Sequence, residues 1–151
     1  MKLAEALLLR AEYQQKTANL QNRILQNLKV QENEKPLENP EDLLNELLEI
    51  NDKLCELIKK INAKNNTVAL PYGKTLSEAL IERDMLMKKR SLLNMIIMQA
   101  SVRDHRISRA EIKMYVTVSI ADMQKQIDDI SKKFRELDTQ IQSLNWIIDL
   151  E

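Results

Sequence analysis

Glycine, cysteine and histidine each occur once in these 151 residues, aromatic residues make up 3%, and proline occurs three times. One glycine cannot build a phosphate-cradling loop or the tight turns of an extensive sheet. One cysteine excludes an intramolecular disulfide and fits a reducing compartment, so a cytoplasmic location is expected. One histidine cannot supply the paired Glu-x-x-His motifs of a carboxylate-bridged di-metal bundle. No metal and no cofactor are expected. With 23 basic and 23 acidic residues the formal net charge is zero, and no global field favours nucleic acid or an anionic membrane. The most apolar run, Leu92 to Met98, is far shorter than the roughly 20 residues of a membrane span. The start of the chain is interrupted by Glu5 and Arg10 and shows no cleavage site, so it does not read as a signal peptide.

What remains is helix-forming material. Hydrophobic residues are 44% and charged residues 30% of the chain, enough for one domain over residues 1–151 with a continuous core. The strongest pattern is an internal echo. Leu3-Ala4-Glu5-Ala6-Leu7-Leu8-Leu9-Arg10 returns as Leu76-Ser77-Glu78-Ala79-Leu80-Ile81-Glu82-Arg83, and it continues through Lys16 with Lys89, Leu20 with Leu93 and Ile24 with Ile97. Leu3, Ala6, Arg10, Tyr13, Thr17, Leu20 and Ile24 step by threes and fours along one helical seam, as do Leu76, Ala79, Arg83, Leu86, Arg90, Leu93 and Ile97. The first and third helices therefore pair or occupy equivalent places.

The spacing predicts helix 1 from Leu3 to about Leu28, with Asn33 in a left-handed turn. Asn39-Pro40-Glu41-Asp42 restarts a helix: an N-cap, a proline in the first turn and acids that suit the positive end of the helix. Its seam is Leu43, Leu47, Ile50, Leu54, Leu57 and Ile61, with Cys55 beside it as a small buried hydrophobe. Thr75 and Glu78 form a capping box for helix 3, which runs to about Ala100 and is apolar nearly all round in its second half; burial on several sides is expected there. Ser119 and Asp122 open helix 4, which follows the heptad step from Ile120 to Ile148. Two stretches read as extended, Thr67 to Leu70 and the β-branched, aromatic Met114 to Val118, and pairing between them would make a short ribbon. Ser108 and Glu111 form a further capping pair. The fold class is mainly α: four long helices in an antiparallel coiled-coil-like bundle with a two-stranded β-ribbon.

Candidate chemistry is sparse. His105 sits in a polar inter-element stretch, and the basic residues Arg103, Arg106, Arg109 and Lys113 are interleaved with acids and lack stacking aromatics, which argues against nucleic acid. No catalytic residues are assigned. Arg10 and Arg83 lie on apolar seams and need solvent or a carboxylate; Glu5, Glu78, Asp84, Asp128 and Asp138 are the partners considered. One reading is an ion-pair network that fixes register. The sharper one is a small-anion site, in a binding module or an enzyme, formed by both arginines with Asn62, Asn65 and Asn66.

Several strings carry a family resemblance: Leu3 to Arg10, Lys29-Val30-Gln31-Glu32, Ile61-Asn62 with Asn65, Thr75 to Asp84, and Phe134 to Trp146. Together they resemble the septicolysin-like family of uncharacterised bacterial proteins across essentially the whole chain. Asn33 stands where that pattern usually has glycine, and Lys64 where it often has threonine. The resemblance implies a helical bacterial protein, and its name implies a membrane-active cytolysin; the residues carry no amphipathic membrane hairpin or Trp-rich loop that would support a membrane partner. The leading expectation is a non-enzymatic protein that self-associates or binds a protein partner through a heptad seam, with Phe134, Leu137, Ile141, Leu144, Trp146 and Ile148 of helix 4 as the interface.

Overall fold

The computed structural model describes residues 1–102 and 112–151; the positions of Arg103, His105, Arg106, Ser108, Arg109 and Glu111 lie outside the described residues. Four helices account for most of the rest: α1 (Leu3–Gln26), α2 (Pro40–Thr67), α3 (Leu76–Ala100) and α4 (Ile120–Ile147). The residues group into two compact units, Met1–Leu76 with Gln142–Glu151, and Ser77–Ile141.

The helix starts follow from local chemistry. The Asn39 side chain accepts the Glu41 N–H at 3.0 Å, and Pro40 occupies the first helical position, where its missing N–H costs nothing. The Ser119 hydroxyl accepts the Asp122 N–H at 3.2 Å. The Glu5 carboxylate reaches back to accept the Lys2 N–H at 2.7 Å, satisfying a donor at the first turn of α1. Beyond α1, Asn33 has φ 66°, the left-handed conformation that its short polar side chain tolerates.

In the first unit α1 packs on α2 through Leu20, Leu43 and Ile50, with Tyr13, Ile24 and Leu47 against them. Full burial of each such side chain contributes roughly 1.5–3 kcal/mol. Arg23 clamps Glu38 in a two-point ion pair, its Nε donating at 3.0 Å, and Lys16 reaches Glu46 at 3.8 Å. In the second unit Arg83 reaches Asp138 at 2.8 Å, and the Arg90 guanidinium lies 5.8 Å from the Phe134 ring centroid while donating to Ser131 at 3.4 Å.

The ribbon expected between Thr67–Leu70 and Met114–Val118 is not formed: Met114–Val118 carries no strand among the described residues. Ala69 instead bridges to Thr75, across a turn in which Leu70 donates to the Lys74 carbonyl at 2.7 Å and Gly73, at φ 83°, donates to the Leu70 carbonyl at 3.0 Å. Closing so short a loop costs far less chain entropy than recruiting a segment beyond α3. Gly73 is the only residue type that takes this φ without strain.

The sequence echo proves to be half of a larger repeat. Leu3 and Leu76 each open a helix, and both are 0% exposed, as are Ala6 and Ala79. The same relation joins α2 to α4, both 28 residues long. Asn39 corresponds to Ser119, Leu43 to Met123, Ile50 to Ile130, Ile61 to Ile141, Asn65 to Asn145 and Leu70 to Leu150. The junctions correspond too. Leu3 donates to the Ile148 carbonyl at 2.9 Å as Leu76 donates to the Val68 carbonyl at 2.8 Å; Leu150 donates to the Met1 carbonyl at 2.8 Å as Leu70 does to that of Lys74. The Lys2–Asp149 bridge thereby repeats the Thr75–Ala69 bridge. The pair α1 and α2 thus repeats in sequence and in junction as α3 and α4, with a longer stretch of chain between the helices of the second pair.

Candidate association surface

The arginine seam resolves unequally. Arg83 is met by Asp138 within the second unit, and each side chain keeps part of its surface in water, at 25% and 35% exposure. Arg10 belongs to the first unit, is half-buried, and makes no ion pair among the described residues. The repeat explains this: the position corresponding to Asp138 in the first hairpin holds Ile58. Glu5 serves the start of α1, Asp84 is exposed, and Glu78 has interactions of its own. Asn62 and Asn66 are exposed on the last turns of α2, with Asn65 half-buried between them. Arg83 is engaged by protein, and neither unit by itself holds both arginines.

The residues expected as an interface on α4 differ in exposure. Ile141 is 0% exposed, Phe134, Leu137, Leu144 and Ile148 are half-buried, and Trp146 stands in solvent. Cys55, expected inside, is exposed, because it lies on the flank of the α2 seam with Leu44 and Leu48. In the first unit an open groove of about 630 Å³ runs over Met1, Leu9, Tyr13, Leu57 and Leu150, rimmed by Asp52, Lys53, Glu56 and Lys60. Its rim mixes both signs, with Glu56 drawn by Lys59 below the usual carboxylate range and Lys53 raised by Glu49. It expresses no charge preference for a ligand.

The prominent surface is the outer face of α3, within the second unit. At about 100° per residue, Ala79, Arg83, Leu86, Arg90 and Ile97 form one side of the helix, and Ile81, Met85, Leu92, Met95 and Ile96 the opposite side. The first side carries the Arg83 and Arg90 contacts to α4. The opposite side is open: Ile81 is 58% exposed, Met85 55%, Leu92 46%, Met95 58% and Ile96 42%. The expectation that this half of α3 is buried on several sides is thus corrected; one side meets α4 and the other is bare. The corresponding α1 positions are Leu8, Glu12, Asn19, Asn22 and Arg23, four of them polar and one of them, Arg23, engaged with Glu38. Apolar breadth was visible in the sequence, but its exposure was not, because periodicity shows where apolar residues lie and not whether anything covers them.

Taken together these features define a four-helix protein with an internal repeat, an exposed apolar row on α3 and, among the described residues, no cluster of three or more potential metal ligands. The chain belongs to the family of unknown function DUF6847, whose model matches residues 10–150. This family assignment supports an uncharacterised family and lends no support to a septicolysin-like name. A crystal structure of a functionally unknown conserved protein from Corynebacterium diphtheriae is similar over 100% of this chain and 99% of that one, with 40% sequence identity and a TM-score of 0.92. No curated protein matches.

Proposed function

We propose that this is a non-enzymatic association module: a helical scaffold whose work is to bind protein through the outer face of α3. The observation that carries the reading is the apolar, exposed row from Ile81 to Ile96 on a helix whose other side already has its packing partner. Five large apolar side chains on one strip are costly to leave in water, and such patches mark binding sites in soluble proteins. Four of their five counterparts on α1 are polar, so the repeated plan does not require apolar residues there.

Each hairpin is read as an antiparallel coiled-coil-like pair; support comes from the register of Lys16 with Glu46 and Arg23 with Glu38, and of Arg83 with Asp138 and Arg90 with Ser131. A cytoplasmic setting fits the single exposed cysteine. The small-anion reading loses its main support, since Arg83 is paired. The membrane-active reading has none from the helices: among the described residues no helix is long and apolar enough to cross a membrane.

The test is the native size of the protein in gentle cell extract, set against its chain mass of 17.6 kDa. A complex that the wild type forms and a Met95→Glu variant loses, with helicity unchanged by circular dichroism, is the expected result. A wild type that is monomeric both in extract and as pure protein at several hundred micromolar, or a complex that Met95→Glu leaves intact, would sink the reading.

A further inference from the structure

The α3 face has an internal symmetry that identifies its partner. Ile81 and Ile96 lie equally far from the midpoint between Lys88 and Lys89, and so do Met85 and Leu92. These four residues are complementary to themselves when a second copy is laid against the helix in the opposite direction, while Met95, whose mirror position holds Glu82, has no apolar counterpart. A two-fold axis at the midpoint sets Ile81 against Ile96 of the other copy and Met85 against its Leu92, an isologous arrangement. Resting on the reading of α3 as an association surface, we infer that the partner is a second copy of this chain, docked antiparallel through the outer faces of α3.

The dimensions agree. From Ile81 to Ile96 the row is about 22 Å long, at a rise of about 1.5 Å per residue. The exposed parts of Ile81, Met85, Leu92, Met95 and Ile96 amount to roughly 500 Å² of apolar surface, near the upper end of the largest patch on a typical monomer. With the stems of Lys88 and Gln99, two copies would bury about 1,200 Å² in total, the lower limit of specific interfaces. An interface of that size belongs with weak, transient associations.

The centre of the row contains its one flaw. Lys88 is exposed on the same side as Met85 and Leu92, so the axis brings two lysines close together. Their stems can cover the apolar ring while the ammonium groups turn outward, but like charges near an axis weaken association. The flaw gives the inference a signature that a merely sticky surface lacks: removing a charge should strengthen binding.

Sedimentation equilibrium on the purified full chain provides the test. The wild type should pass from monomer to dimer with rising concentration. Leu92→Glu should weaken the dimer at least tenfold, and Lys88→Met, which keeps the stem and removes the charge, should tighten it several-fold. In a Cys55→Ser background, Met85→Cys with Leu92→Cys should oxidise to a disulfide-linked dimer, whereas Leu92→Cys alone should not, its two copies lying about 10 Å apart along the helix direction. Circular dichroism establishes that each variant keeps its helices. A wild type that stays monomeric to several hundred micromolar, a dimer indifferent to Leu92→Glu, or crosslinking by Leu92→Cys alone overturns the inference. A monomer that still enters an α3-dependent complex in extract would leave the association reading standing and remove only the second copy as its partner.

Discussion

The first hairpin and the second share a plan, and they differ where a side chain's neighbour was exchanged. Arg10 and Arg83 hold the same seam position, yet Asp138 meets one and Ile58 occupies the matching place beside the other. Arg23 and Glu38 tie the first connector to α1, whereas the corresponding residues of the second hairpin are Ile96 and Val118, both exposed. The first hairpin spends its outer polar residues on holding itself together. The second puts Met85, Leu92, Met95 and Ile96 where the first has polar residues, although the first also leaves Leu25, Leu28, Leu37, Leu44 and Leu48 exposed. What differs between the repeats is therefore the surface, while the buried leucines and the backbone pairing at both junctions are kept. Substitutions at corresponding positions should cost alike in the interior and unlike on the surface.

The largest effect should come from the interior. Leu3 and Leu76 are both 0% exposed and open their helices with the same backbone bond. Leu3→Ala and Leu76→Ala should each destabilise by about 3 kcal/mol, the usual cost of lost transfer energy plus a cavity. Chemical denaturation would check this, and a cost for one of less than a third of the other would break the structural equivalence.

A smaller effect separates the two arginines. Asp138→Asn should cost about 1 kcal/mol, discounted because both partners of its ion pair remain partly solvated. Giving Arg10 the missing carboxylate by Ile58→Asp loses some apolar burial, so the net change alone is uninformative. A double-mutant cycle with Arg10→Gln isolates the new attraction, with a coupling of about 0.5–1 kcal/mol expected. Zero coupling would mean that Arg10 sits where a carboxylate at position 58 cannot reach it.

How much of this was legible in the residues depends on the range of the interaction. Helix starts are local, and Asn39-Pro40 and Ser119 with Asp122 marked two of them correctly. Asn33 in its left-handed turn was equally readable, since that conformation belongs to one residue and its side chain. The repeat was visible from α1 to α3 because Leu-x-Glu-Ala-Leu-x-x-Arg is preserved letter by letter. It was missed from α2 to α4 because only residue class survives there, as in Leu43 with Met123 or Ile50 with Ile130. A comparison of hydrophobic pattern would have found it. The ribbon was misplaced because β-propensity reports a preference and names no partner. Of the α4 residues expected as an interface only Ile141 is buried and Trp146 is exposed, with the other four half-buried, because a seam and an outer face obey the same period.

The smallest difference is electrostatic and local. The Arg23 guanidinium beside Glu38 holds its carboxylate below the usual range, chiefly through their hydrogen bond, and the Arg23 pKa is raised in turn. A depressed carboxylate pKa contributes stability that is present above its unfolded value and lost as pH falls through the folded one. The clamp should therefore hold at neutral pH and release below the ordinary carboxylate range. Ile96 and Val118, in the same places, have nothing to titrate. Amide exchange at residues 27–39, corrected for the intrinsic effect of pH, should lose protection between neutral and acidic conditions in the wild type and change less in Glu38→Gln. Residues 112–118 should show no matching step. Lys2 likewise lowers the Asp149 pKa, so Asp149→Asn serves as the control that distinguishes release of the connector from loosening where Met1–Leu3 meets Ile148–Leu150. If Asp149→Asn, and not Glu38→Gln, abolishes the step at residues 27–39, acid acts through that junction, and the two connectors are less different than their side chains imply.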